Sequence, residues 1–124
     1  MRRLLLAVAV LLVASPLLSA SFVKRLVVNA NNGSSWNGGC PHRFDFQAQI
    51  TARRRGDLVI QWIRSDGATG GASTIHFSGP NEMRRVFDHW SVGRRYNGWE
   101  QLRVTDRDGN VSVSRRVNFS IRCR

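Results

Sequence analysis

The sequence predicts an all-β protein: an antiparallel sandwich of about seven short strands, closed by one disulfide. Three observations predict it. After the first 20 residues no stretch places apolar side chains at helical spacing. Short alternating runs instead recur every 10–15 residues or so, separated by Gly, Asn, Asp, Pro and Ser. The two cysteines, Cys40 and Cys123, bracket nearly all of these runs.

The first element is a leader rather than part of the sandwich. Met1-Arg2-Arg3 is positive, Leu4 to Val13 is an unbroken apolar run, and Ala14 to Ala20 is rich in small residues and broken by Pro16. That order is the pattern of a secretory signal peptide. The apolar run falls short of the roughly 20 residues that cross a bilayer. Residues 1–20 are therefore expected to be removed after Ala20, with Ser21 as the alternative cut, leaving no membrane span. The expected location is secreted, or at the cell surface or in the periplasm. Residues 21–39 are read as a first strand and a Gly/Asn-rich loop. Residues 40–124 are the remainder of one domain spanning 21–124.

Seven runs follow. The first is Val23 to Asn29, and a polar loop from Asn29 to Gly39 comes after it. The second, His42 to Ala52, puts Phe44, Phe46, Ala48 and Ile50 on one face, since alternate side chains of a strand share a face. The third, Asp57 to Arg64, does the same with Leu58, Ile60 and Trp62. The fourth is short and holds Ile75 and Phe77. The fifth, Glu82 to Val92, is ambiguous, because Val86, Trp90 and Val92 share their face with Asp88. The sixth, Trp99 to Thr105, carries Leu102 and Val104, and Asp108-Gly109 signals a hairpin turn. The seventh has Val111, Val113, Val117, Phe119, Ile121 and Cys123 on one parity, broken by Arg115.

Seven short strands in about 100 residues is the count of an immunoglobulin-like or fibronectin-III-like sandwich. Cys40 shares parity with Phe44, and Cys123 shares parity with Ile121, so both face inward. In such an order the two cysteines lie at one pole on strands of opposite sheets. Paired, they would staple the sandwich at its base. Two cysteines in an exported chain most simply pair, and closing so long a loop contributes roughly 4–5 kcal/mol on the chain-entropy model. Trp62 occupies the place of the Trp that such sandwiches bury on the third strand, against Phe44 or Phe46. Tyr96 occupies the place of a tyrosine corner.

From Cys40 to Cys123 the chain resembles bacterial extracytoplasmic Ig-like domains. The resemblance rests on Cys40-Pro41, on Gln61-Trp62-Ile63-Arg64-Ser65-Asp66-Gly67-Ala68, and on Gly98-Trp99-Glu100-Gln101-Leu102-Arg103-Val104. The hairpin from Val104 to Ser112 and the terminal strand ending on Cys123 complete it. It implies a spacer or binding module and is silent on the ligand.

No catalytic residue is expected. Asp88 and His89 are adjacent on a strand, so they point to opposite faces and cannot form a base–orienter pair. His42 and His76 sit in no motif, and no serine lies in a G-x-S-x-G elbow. Cys40, His42 and Cys123 make an incomplete zinc set, which a disulfide explains more simply. No metal or cofactor is expected.

Charge supplies the functional signal. The formal net charge is +11, from 19 Lys and Arg against 8 Asp and Glu, and Lys24 is the only lysine. Loss of Arg2 and Arg3 with the leader leaves about +9. An excess of this kind suits anionic partners; codon bias toward arginine is the competing source. Three loops should meet at one pole, carrying Arg53, Arg54 and Arg55, then Arg84 and Arg85, then Arg107. Guanidinium forks suit phosphate and carboxylate, although Asp57, Glu82, Asp106 and Asp108 lie near enough to cancel part of the field. The opposite pole offers Trp36 and Tyr96, with Arg94 and Arg95, as partner contacts. The expected function is an exported, non-enzymatic binding module for an anionic surface polymer or a protein partner. Sequence-specific nucleic-acid binding is not expected. A structural module without a ligand and a secreted enzyme inhibitor are the alternatives.

Overall fold

Alternation sets the architecture. From Phe44 to Ala52 every second side chain is buried, and the residues between are at least partly exposed. Such a strand must lie with one face on a core. The computed structural model describes residues 21–124, so the expected leader lies outside the described residues.

The described chain is all strand and turn. The strands are β1 (Val23–Ala30), β2 (Ser35–Gly38), β3 (His42–Ala52), β4 (Gly56–Arg64), β5 (Ser73–Phe77), β6 (Met83–Val92), β7 (Tyr96–Asp106), β8 (Val111–Val113) and β9 (Val117–Cys123). One sheet has the order β1-β3-β6. The other has the order β2-β9-β7-β4-β5, with β8 also paired to β7. The two sheets enclose one core, and the fold is an immunoglobulin-like β-sandwich.

Nine strands replace the seven read from the sequence, for two reasons. The first is in the supposed loop 29–39. β1 leaves β3 at Ala30, opposite Phe46, and the chain crosses to the other sheet as β2, parallel to β9. The β3 edge left uncovered is closed by Asn32. Its amide nitrogen donates to the Arg43 carbonyl at 2.7 Å and its carbonyl oxygen accepts the Asp45 N–H at 2.9 Å.

The second reason is Ser114, which divides the last run. Its hydroxyl accepts the Leu102 N–H at 2.9 Å, and its own N–H donates to the Leu102 carbonyl. Ser114 is therefore buried, and the alternation changes phase around it. Val111 and Val113 face solvent, contrary to expectation, whereas Phe119 and Ile121 face the core.

Cys40 and Cys123 are bonded, with Cα atoms 5.5 Å apart. Cys40 leads into β3 and Cys123 ends β9, so the bridge joins the two sheets at one pole as expected, although Cys123 is exposed and Cys40 half-buried where parity predicts both to face inward. Trp62 is buried at 7 % exposure, yet among the described residues it takes part in none of the ring pairs. The aromatic hub is Phe119. Its ring centroid lies 4.6 Å from Phe44, 5.9 Å from Phe46, 5.0 Å from Trp90 and 6.0 Å from Tyr96. One β9 side chain thus contacts rings from both sheets, and burying a side chain of that size contributes about 1.5–3 kcal/mol.

Candidate functional site

The arginine pole is the end of the sandwich where β3 passes into β4 and β7 turns into β8. Its floor is aromatic: Phe22 is buried and meets Phe77 edge to face at 5.7 Å. Gly56 opens β4 under that ring. A Cβ there would lie 2.8 Å from the Phe22 ring, so glycine lets the turn close over it. Arg53, Arg54 and Arg55 form the turn and are all exposed. Arg54 lies over the Phe22 ring at 5.5 Å.

Arg107 comes from the β7–β8 hairpin. Asp106 builds that hairpin. One of its carboxylate oxygens accepts the N–H groups of Asp108 and Asn110, both at 2.9 Å, and the other accepts the Asn110 amide at 3.0 Å. Partial burial pushes this carboxyl up, but the bonds from Asn110 and Asp108 and the Arg54 charge outweigh it and hold it below its ordinary value. Arg54, Arg55 and Arg107 meet with Asp57, Asp106 and Asp108 around a cavity of about 160 Å³. Asp57 faces the His76 ring nitrogen at 2.6 Å. Arg53, Arg55 and Arg107 have no ion pair among the described residues.

Arg84 and Arg85 are not on a loop. Both belong to β6, where Arg84 stands opposite Ile50 and Arg85 opposite Gln49. Neighbours on a strand face opposite ways, so they cannot act together on one ligand. Arg84 also pairs with Glu82 at 3.7 Å. Four of the six expected arginines therefore sit on the turns of the pole, while Arg84 and Arg85 stand at the start of β6 beside the end of β3.

At the other pole Trp36 is anchored. Its ring stacks on His42 at 4.0 Å, its indole N–H donates to the Gly39 carbonyl at 3.0 Å, and it keeps 37 % exposure. Tyr96 lies on β7, with β9 between it and β2, and makes no ring contact with Trp36. A tyrosine corner would bond backbone; here the hydroxyl lies 2.7 Å from the Ser65 hydroxyl, which in turn accepts the Trp99 N–H at 3.0 Å. Tyr96 and Trp90 border a cavity of about 330 Å³ that also meets Arg94 and Asp66. The expected pair of contact residues is thus two separate features.

Three arrangements escaped the sequence. His89 faces the Asp45 carboxylate at 2.7 Å across the β3–β6 ladder, and His76 faces Asp57 in the same manner. The His89 bond and the Arg43 charge hold Asp45 below its ordinary value, against partial burial. No hydroxyl is hydrogen-bonded to either imidazole among the described residues. The second arrangement explains Asp88 on the inward face of β6. Arg64 donates to it at 3.2 Å and to the His89 carbonyl at 2.7 Å, while lying over Trp90 at 5.0 Å. The third is Glu100, which is fully buried. Burial foremost, then the neighbouring Asp88 carboxylate, push its carboxyl up to about 9, so it is neutral near pH 7. No group of three or more His, Cys, Asp or Glu side chains is placed to hold a metal ion among the described residues. No helix is long and apolar enough to cross a membrane there.

Comparison with known proteins bears on the fold. No protein-family model and no curated protein sequence matches the chain. Among solved structures, it is similar to the CARDB domain of a Pyrococcus furiosus protein determined in complex with di-metal ions. The TM-score is 0.59 at 11% identity, over 86% of this chain and 100% of that one. It is also similar to the PKD domain of an M14-like peptidase from a Thermoplasmatales archaeon. There the TM-score is 0.56 at 12% identity, over 77% of this chain and 91% of that one. At these identities the likeness establishes the sandwich fold alone.

Proposed function

We propose that this protein is an exported, non-catalytic accessory module that holds polyanions at its arginine pole. The observation that carries the proposal is the meeting of Arg54 and Arg55 with Arg107 around one cavity, beside the exposed Arg53. Loops fixed by a rigid sandwich are where binding sites are built, and arginine presents paired donors to phosphate, sulfate or carboxylate. The charge excess of the whole chain adds long-range attraction. The Cys40–Cys123 bond supports action in an oxidising compartment outside the cytoplasm.

The competing reading is a structural module without a ligand, and Asp57, Asp106 and Asp108 at the same pole favour it. Heparin chromatography separates the two. Replacing Arg53, Arg54, Arg55 and Arg107 with Gln should lower the eluting salt far more than replacing Arg25, Arg95, Arg115 and Arg122. Both sets remove the same charge, so equal losses would mean that net charge alone retains the protein and that the pole is not a site.

A further inference from the structure

We propose a second site on the outer face of the six-stranded sheet, where a pyranose ring of an extended polysaccharide lies against Trp99. This goes beyond the arginine pole and uses none of its residues. The site forms where β7 and β9 run side by side. Trp99 stands opposite Asn118, and Asn97 stands opposite Ser120. Gly98, Glu100, Phe119 and Ile121 face the core, so the residues between them face outward. The crossing from β1 to β2 then lays Ser34 and Ser35 alongside, with the Ser34 carbonyl accepting the Ser120 N–H at 2.8 Å. Together these residues border an open cavity of about 500 Å³, within the size range of small-molecule sites.

The chemistry of the walls selects the ligand. They present one indole, two side-chain amides and three hydroxyls, and no carboxylate or ammonium group. None of these side chains makes a hydrogen bond among the described residues, the Trp99 indole N–H included. The Arg116 guanidinium lies 4.0 Å over the Trp99 ring without bordering the cavity. Arg116 therefore covers one face of the indole, and the pyranose would meet the part of Trp99 that borders the cavity. A pyranose has the complementary form. Its C–H groups make an apolar face that lies on an aromatic ring, and its rim of hydroxyls matches uncharged amides and hydroxyls. An open cavity on a sheet surface suits one ring of a longer chain rather than one enclosed small molecule.

Native gels cast with xylan, hydroxyethyl cellulose or galactomannan test the proposal. At least one of these neutral polymers should retard the protein. Binding to it should persist in a pull-down near 1 M salt, where the screening length is about 3 Å. Trp99→Ala should weaken it roughly tenfold or more, as expected of an aromatic anchor. Trp99→Phe should restore part of the loss. The double variant Asn97→Ala/Asn118→Ala changes only outward side chains and should weaken binding several-fold, which keeps the test decisive should Trp99→Ala fail to fold. The arginine-pole Gln variant should bind these polymers like the parent, so this site and that one fail separately. No retardation by any of the three polymers, parental binding by the Asn97/Asn118 double variant, or loss of binding at high salt would each overturn the proposal.

Discussion

Glu100 stands directly opposite Arg64 in the β4–β7 ladder, yet its buried carboxyl is paired with the Asp88 carboxyl and not with the Arg64 guanidinium. Arg64 turns instead to Asp88 and the His89 carbonyl. The core therefore holds a neutral acid beside a satisfied ion pair.

That arrangement fixes the sign of a pH dependence. Burial and Asp88 raise the Glu100 carboxyl from 4.5 to about 9 in the folded protein. A group raised on folding contributes stability that is complete below its unfolded value and lost as pH climbs toward the folded one. Urea unfolding should show stability falling by a few kcal/mol between about pH 5 and pH 9. Glu100→Gln should flatten that slope and stabilise the protein at neutral pH. A slope identical in the two proteins would show that Glu100 ionises in place.

The Cys40–Cys123 bridge joins residues 83 apart in sequence. Replacing both cysteines with Ser should cost about 4–5 kcal/mol on the chain-entropy model, much of the stability of a domain this size. Chemical denaturation of the double variant measures it. A loss below about 1 kcal/mol would mean that the β2–β9 and β7–β9 ladders hold that pole unaided.

Gly98 should tolerate no side chain. A Cβ at this position would press on the Tyr96 ring and lie 2.8 Å from Phe119 and 2.9 Å from the Ser65 hydroxyl. Gly98→Ala should therefore cost roughly 1–3 kcal/mol through overpacking and shift the near-ultraviolet signal of Tyr96. Gly71→Ala, with open space around it, should cost about 0.5 kcal/mol or less. Equal effects would deny the close packing of Tyr96 over Gly98.

The parts of the fold legible in the sequence are those where one face is apolar and the other is not. β3 and β4 alternate along their length, so their inward residues follow from parity alone, and only the start of β4 differs, at Gly56 rather than Asp57. β2 was invisible because Ser35-Trp36-Asn37-Gly38 has no alternation, and its strand form comes from backbone pairing with β9. The phase change at Ser114 was hidden because Val111, Val113 and Val117 share parity on either side of it. The run from Glu82 to Val92 already contains Arg84 and Arg85, so assigning them to the preceding loop conflicts with the strand reading, and β6 resolves it in favour of the strand. The histidine–aspartate pairs depend on register, and composition does not carry register. Trp99 left a readable trace, since it sits out of phase with Leu102 and Val104 and so had to face solvent.

The position of the bridge also decides how the module behaves under tension. Val23 begins β1 at the arginine pole and Cys123 ends β9 at the other, so a pull on residues 21 and 124 runs along the sandwich. The covalent bond carries that load past everything between Cys40 and Cys123. Only residues 21–39 can be drawn out, by about 60 Å at full extension. They come away by sliding along β3 and β9 rather than by unzipping. Stretching should therefore strip one strand pair and stop, leaving β3 to β9 folded as a short, inextensible link.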